Sequence, residues 1–314
     1  MEISGTVLFI DDEKHVLDSL ESLFGGTDLK ILKAADPREA IEIFAKEEIA
    51  VIVSDNHMPG MKGIDLLQKV RDVSPDTLRI LMTAYADLVT AVDAINKGEL
   101  FRFIMKPWED DALVQTVHDA VKHYHLVRTL KTGDEAALLG IARAIELKDP
   151  HTRGHCENVA SYAMLIAGAL NLSGEKKKRL LYGSWLHDCG KINIPDHILD
   201  KKSPLIKEEY EIIKNHPRWG ADLALQARMP ASVVNIILHH HERYDGSGYP
   251  SGIKGRDIPL EARIVTVADV YDALTSERAY RKRYSREKTM DIMLLMRGNI
   301  FDPEIFDLFL ECIR

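Results

Sequence analysis

The sequence predicts two domains of different class: an α/β doubly wound domain with a parallel five-stranded sheet, then an all-α helical domain, joined by a helical connector. Three observations carry this. Short, β-branched apolar runs alternate with amphipathic helical segments as far as Met105. From Asp110 onward that strand signal stops. The length of 314 residues suits about two domains at ~150 residues each.

Taken in order, Thr6–Ile10, Ile31–Ala35, Val51–Asp55, Leu78–Ala84 and Phe101–Met105 read as buried strands. KHVLDSLESLF, PREAIEIFAKE, GIDLLQKVRDV and TAVDAINKG between them read as helices. Strand–helix alternation implies a parallel sheet with helices on both faces. DDALVQTVHDAVKHYHLVRTLK is a long helical pattern that closes the first domain and continues outward. LLGIARAIELKD and ASYAMLIAGALNL follow, and the rest reads as helices broken by loops. The division is residues 1–125, a connector over 126–140, and 141–314. A helical connector is stiffer than a Gly/Ser linker and can transmit rotation or dimer contacts.

Composition narrows the function. A hydrophobic share of 46% with 29% charged residues is that of a globular protein. The net charge of -8 disfavours a broad nucleic-acid surface, and no helix-turn-helix candidate carries a basic recognition face. DNA is therefore not an expected partner. No apolar run approaches the ~20 residues of a membrane span, and the opening MEISGTVLFIDDE is unlike a signal peptide. Cys156, Cys189 and Cys312 are scattered and form neither a disulfide framework nor a CxxC site. A reducing cytoplasm is the expected home, and metal chemistry must come from His and Asp.

In open α/β sheets, function gathers at the carboxyl ends of the strands. Those ends here carry Asp11 and Asp12, Asp55, Thr83, and Lys106 before Pro107. Three carboxylates make an oxygen site suited to Mg²⁺, and a hydroxyl and an ammonium can bind phosphoryl oxygens. A single acid at a strand end is usually just solvated; the five together are not so easily dismissed. The pieces "FIDDE", "SDNHMPGMKG", "MTAY" and "FIMKPW" resemble the receiver domain of bacterial response regulators over about residues 5–125. That resemblance implies a flavodoxin-like fold. It makes Asp55 the phospho-acceptor, Asp11 and Asp12 holders of Mg²⁺, Thr83 and Lys106 readers of the phosphorylated state, and Phe103 the aromatic switch. It also implies a sensor histidine kinase as partner.

The second half holds "DPHTRGHCENV", "LHDCGKINIPDHIL", "IIKNHPRWG", "HHHERYDGSGYP" and "IVTVADVYDALTSERAYRKRY". Imidazoles with carboxylates suit Mn, Fe, Ni or Zn better than Ca or Mg. Adjacent His187 and Asp188 on a helix point about 100° apart and can embrace one metal or bridge two. His240 and His241 offer a second pair; His155, His216 and Asp269 come from other helices. A lone His on an apolar face is more often a hydrogen-bonded core residue, but a buried, unpartnered carboxylate is costly and a metal satisfies it. Cys156 and Cys189 read as packing residues. His15, His118, His123 and His125 read as solvated, and His239 is the weakest member of its triplet.

"HDCGK", "HHERYDGSGYP", "ADVYDALTSERAYR" and "FDPEIF" resemble the HD-GYP subclass of the HD phosphohydrolases over about residues 135–314. The resemblance implies hydrolysis of cyclic di-GMP to pGpG, and in some members to GMP. It implies metal ligands at His155, His187, Asp188, His216, His240, His241 and Asp269, with Asp188 bridging two Fe or Mn ions. Lys191 would lie against the scissile phosphate; Gly248, Tyr249, Arg278 and Arg281 would meet the substrate. The glycine-rich turn is expected to let backbone approach a bulky nucleotide. Two-metal chemistry of this kind lowers the pKa of a water for in-line attack on phosphorus.

Two positions depart from the family. His151 stands where some members have a Glu that supports a third metal and many have a Tyr that does not; a His can do either. Asn158 replaces a usual Arg, which weakens an expected salt bridge or substrate contact. Alternative readings are a hydrolase of another cyclic dinucleotide such as 3′,3′-cyclic GMP-AMP, or a weakly catalytic adaptor. A homodimer and docking by GGDEF-type or other signalling proteins complete the expected partners.

Overall fold

A computed structural model describes residues 4–84, 100–148, 154–199, 201, 203–277 and 283–314. The chain divides into two compact units, residues 1–128 and 129–314. Among the described residues no helix is long and apolar enough to cross a membrane.

The first unit is the expected parallel sheet. Its strands are β1 (Gly5–Ile10), β2 (Leu29–Ala34), β3 (Val51–Asp55), β4 (Leu78–Thr83) and β5 (Arg102–Met105), in the order β2-β1-β3-β4-β5. β3 and β4 are buried along their whole length, as continuous β-branched and apolar runs require when helices cover both faces. Helices α1 (Lys14–Leu23), α2 (Pro37–Phe44) and α3 (Gly63–Val73) connect the first four strands. α2 starts where it does because Asp36 accepts from the Arg38 and Glu39 amides and Pro37 opens the first turn. The helix expected in TAVDAINKG lies outside the described residues. Strand order reverses between β1 and β3, so the crevice of such a sheet opens at the carboxyl ends of those two strands.

α4 (Asp110–Thr132) is the long helix expected after the sheet. It ends at Gly133, whose φ of +62° is the left-handed conformation that glycine adopts at little cost. α5 (Glu135–Lys148) then begins, with Asp134 accepting from the Ala137 amide at 2.9 Å. The connecting segment is thus two helices with a turn between them.

The second unit is helical: α6 (His155–Ala169), α7 (Gly174–Leu186), α8 (Asp196–Leu199), α9 (Lys207–Ile213), α10 (His216–Gln226), α11 (Ala231–His239), α12 (Leu260–Thr275), α13 (Arg286–Leu294) and α14 (Pro303–Cys312). Its core gathers Val159, Ala163 and Ile166 of α6, Ile236 of α11, Val265 and Val267 of α12, and Phe306 and Phe309 of α14. A short 3₁₀ turn over Cys189–Asn193 follows α7. The end of α7, that turn, α6 and α10 to α12 carry the cluster described next.

Candidate functional site

In the first unit, Lys106 lies at the centre of the acidic crevice. Its ammonium is 2.5 Å from Asp55 Oδ1 and 2.9 Å from Asp11 Oδ2. Burial lowers the Lys106 pKa, but the hydrogen bonds to Asp55 and Asp11 outweigh it, and the net shift is upward. The second oxygens of the two carboxylates take backbone amides, from His57 at 2.7 Å and Glu13 at 2.9 Å. Asp12 is exposed, Thr83 is buried at the end of β4, and Phe103 is half-buried on β5. Gly63 is required here by contact: a Cβ would lie 1.9 Å from the Asp55 carbonyl oxygen.

In the second unit, the structure brings together His155, His187, Asp188, His216, His240, His241 and Asp269. Two groups of ligand atoms form, Asp188 with His216, His240 and His241, and His155 with His187 and Asp188; within each, the atoms lie within 4.8 Å of one another. Asp188 belongs to both. Asp269 joins through its Oδ1, 3.2 Å from His155 Nε2.

The adjacent pairs do not lie within helices, as the reading of His187 and Asp188 supposed. His187 is the C-cap of α7, and His240 is the C-cap of α11. Each turns its Nδ1 back onto a carbonyl three residues earlier: His187 on Ser184 at 2.7 Å, His240 on Ile237 at 2.8 Å. His216, just past the end of α9, does the same to Ile213 at 2.8 Å. Helix ends leave such carbonyls without partners. One contact therefore satisfies the carbonyl, fixes the Nδ1–H tautomer and aims the Nε2 lone pair inward.

These residues fit a metal. His187 Nε2 is buried with no hydrogen-bond partner. His216 Nε2 and His240 Nε2 face each other at 3.3 Å, with both protons already given to carbonyls. Lone pairs held like this need a cation between them. Burial, with neighbouring histidines, drives His240 well below the usual imidazole range and His241 down to about 3. Burial lowers His187 too. Burial also works against ionisation of Asp188, but Lys191, His187 and His216 outweigh it and hold Asp188 well below the usual carboxylate range. Neutral imidazoles around an ionised carboxylate are the protonation states that metal ligands require.

His155 is held differently. Its Nδ1 contacts Asp272 Oδ2 at 2.6 Å. Burial pulls its pKa down, but the hydrogen bonds to Asp269 and Asp272 prevail and raise it to about 10. Asp272 also accepts from Asn158 Nδ2 at 2.8 Å and from Ser276 Oγ at 3.0 Å. Asn158 thus keeps a polar contact, as a neutral amide, at the position expected to have lost a salt bridge. The sequence reading missed Asp272. It also missed Glu146, which is buried and accepts from the Gly154 amide at 2.8 Å and the Cys156 amide at 2.6 Å. Glu146 thereby fixes the start of the helix that carries His155. A cleft lined in part by Glu146, His155, Trp185, His187, Asp188 and Lys191 opens here.

Lys191 Nζ lies 2.8 Å from Asp188 Oδ2. The Tyr249 ring leans on His241 with centroids 4.8 Å apart and an interplanar angle of 33°. Its turn is fixed by Glu242, fully buried, which accepts from the Ser251 amide at 2.7 Å and the Gly252 amide at 3.2 Å. Gly248 is explained by the chain itself: a Cβ would lie 2.3 Å from the Arg243 amide nitrogen and 2.6 Å from Glu242 Cα. Its glycine character is demanded by internal packing. His239 stays outside both ligand groups, 3.8 Å from Glu242. His123, expected to be solvated, is buried against Phe101. Cys156 and Cys189 are buried as packing residues, and burial pushes the Cys189 thiol up to about 12. His151, Arg278 and Arg281 lie outside the described residues.

Comparison with known proteins places both units in families. Residues 141–305 fit the HD domain family, and residues 7–118 fit the response regulator receiver domain. The chain is 32% identical, over 97% of its length and 87% of the relative's, to the cyclic di-GMP phosphodiesterase response regulator RpfG of Xanthomonas campestris pv. campestris. It is 29% identical, over 98% of its length and 90% of the relative's, to a cyclic di-GMP phosphodiesterase of Thermotoga maritima. A 3′3′-cGAMP-specific phosphodiesterase of Vibrio cholerae is 32% identical but over only 60% of this chain and 37% of its own. The chain belongs to the family of RpfG-like response regulators, in which a receiver domain precedes an HD domain.

Proposed function

We propose that this chain is a metal-dependent phosphodiesterase that hydrolyses cyclic di-GMP to linear pGpG, under control of phosphorylation at Asp55. The observation that carries the reading is the set of three imidazoles locked through Nδ1 with Nε2 aimed at Asp188. An adaptor has no use for such a set. The relatives matched along nearly the whole chain are named for cyclic di-GMP, which favours that substrate over the mixed dinucleotide.

Two divalent ions fit the two ligand groups, with Asp188 common to both; the nitrogen and oxygen donors favour Fe or Mn. A bound ion of this kind supplies Lewis acidity to phosphoryl oxygens and lowers the pKa of water. The chain's own residues do the rest. Lys191 sits against the shared carboxylate and presents its ammonium where negative charge develops on the phosphate. Asp272 holds His155 through Nδ1, which leaves Nε2, with the Asp269 carboxylate beside it, as the ligand atom. Tyr249, seated on His241, walls one side of the substrate position. Arg278 and Arg281 are assigned to the substrate's phosphates or bases. In the receiver, Asp11, Asp12 and Asp55 take Mg²⁺, and a histidine kinase supplies the phosphoryl group.

The test is turnover of cyclic di-GMP by the full chain reloaded with Mn²⁺ or Fe²⁺. We expect pGpG from the wild type. Asp188→Ala should lose more than ~100-fold, because even outer partners of a metal ligand are worth 10–100-fold. Folded, metal-loaded wild-type protein that yields no product would overturn the assignment.

A further inference from the structure

Tyr210 and Lys214 lie beside the cluster and belong to neither ligand group. Tyr210 is on α9 with 48% of its surface exposed. Lys214, one helical turn later, is the C-cap of that helix. Its ammonium lies 5.5 Å from the centroid of the Tyr210 ring and 5.7 Å from that of Tyr249. Tyr249 in turn leans on His241. The order His241, Tyr249, Lys214, Tyr210 therefore runs outward from the buried imidazoles to open surface.

A single exposed tyrosine needs no explanation. A lysine shared between an exposed ring and the ring seated on a metal-site histidine is a different matter, because it ties the surface residue to the ligand cluster. The acidic partner of Lys214 is Glu211, at 2.9 Å, with side-chain exposures of 30% and 56%. A surface pair of this kind is weak and can be exchanged for another anion.

We infer that Tyr210 and Lys214 form the outer rim of the substrate site. Tyr210 offers its open face to a purine base of the cyclic dinucleotide, and Lys214 pairs with a phosphate oxygen while staying over both rings. Base–aromatic stacking suits any base, so this rim recognises a dinucleotide without selecting guanine. The inference rests on the proposed function.

The experiment compares steady-state hydrolysis of cyclic di-GMP by the Mn²⁺-loaded full chain with that of Tyr210→Ala, Tyr210→Phe, Lys214→Ala and Lys214→Arg, with bound metal measured for each. Tyr210→Ala is expected to raise KM about tenfold, the loss of one stacked base, with kcat and metal content within twofold of the wild type. Tyr210→Phe keeps the ring and should restore KM. Lys214→Ala should raise KM and flatten its dependence on salt, and Lys214→Arg should recover both. Wild-type turnover with KM unmoved in both alanine variants overturns this inference alone. So does a fall in kcat or metal content without a change in KM, which makes the pair structural. A wild-type protein without turnover overturns the functional reading and the rim with it.

Discussion

Asp272 is nearly fully buried, at 2% exposure, and three donors meet it: His155, Asn158 and Ser276. A buried carboxylate so satisfied is stable, whereas one stripped of partners costs heavily. In Asp272→Asn the side chain keeps one acceptor oxygen and gains an NH₂. That oxygen can serve His155 or the Asn158–Ser276 side, but not both, and His155 loses its anionic partner either way. Metal affinity of the full chain should fall ~10–100-fold while the fold is retained. Titration of the apo protein with Mn²⁺ against a competing chelator measures it; an unchanged affinity would show that Asp272 only packs. Asp269 could be read from the sequence because its motif resembles a known ligand position. Asp272, one helical turn further on, looked like an ordinary helix residue. Its partner His155 is 117 positions away, and helical periodicity says nothing about what lies opposite.

The helices of the second unit were legible from apolar spacing, but their ends were not, and the site is built from the ends. Adjacent His and Asp looked like neighbours on one helix. They are instead a C-cap and the first residue past it, because an imidazole at that position can satisfy a stranded carbonyl. Gly190 shows how tightly the following turn is seated. A Cβ there would lie 1.9 Å from the His216 carbonyl oxygen and 2.5 Å from the Gly220 nitrogen. Backbone on both sides leaves nothing flexible to yield, so Gly190→Ala must push α10, with His216, away from Asp188. The expected cost is ~1–3 kcal/mol, several degrees in melting temperature, together with a loss of bound metal. Gly140→Ala is the matched control: nothing lies within 4 Å of its Cβ position, and alanine in a helix interior stabilises by up to ~1 kcal/mol. Calorimetry and metal analysis of both variants decide the matter; equal behaviour would refute the seating of α10 on the turn.

For the molecule as a whole, the two compact units should respond separately to their own ligands and together to phosphorylation. The ligand cluster lies entirely in the second unit. Removing metal with a chelator should therefore lower the melting transition of that unit and leave the receiver's transition in place. One merged transition, shifting as a block, would contradict this. The receiver was the more legible half, since its residues fall at strand ends that alternation alone locates. What the sequence did not disclose is that Lys106 already spans Asp11 and Asp55. Phosphorylation converts the Asp55 carboxylate into an acyl phosphate, a net gain of about one negative charge beside that ammonium, so Lys106 must redistribute between Asp11 and the phosphoryl oxygens. α4 follows β5 and Pro107 directly and runs on to Gly133. We expect a small-molecule phosphodonor to raise cyclic di-GMP turnover several-fold in the wild type. In Asp55→Asn the unstimulated rate should persist and the response disappear, since an amide cannot accept the phosphoryl group. Turnover measured with and without phosphodonor in both proteins separates the cases. A response that survives in Asp55→Asn moves the acceptor elsewhere, and a wild type that does not respond removes the coupling.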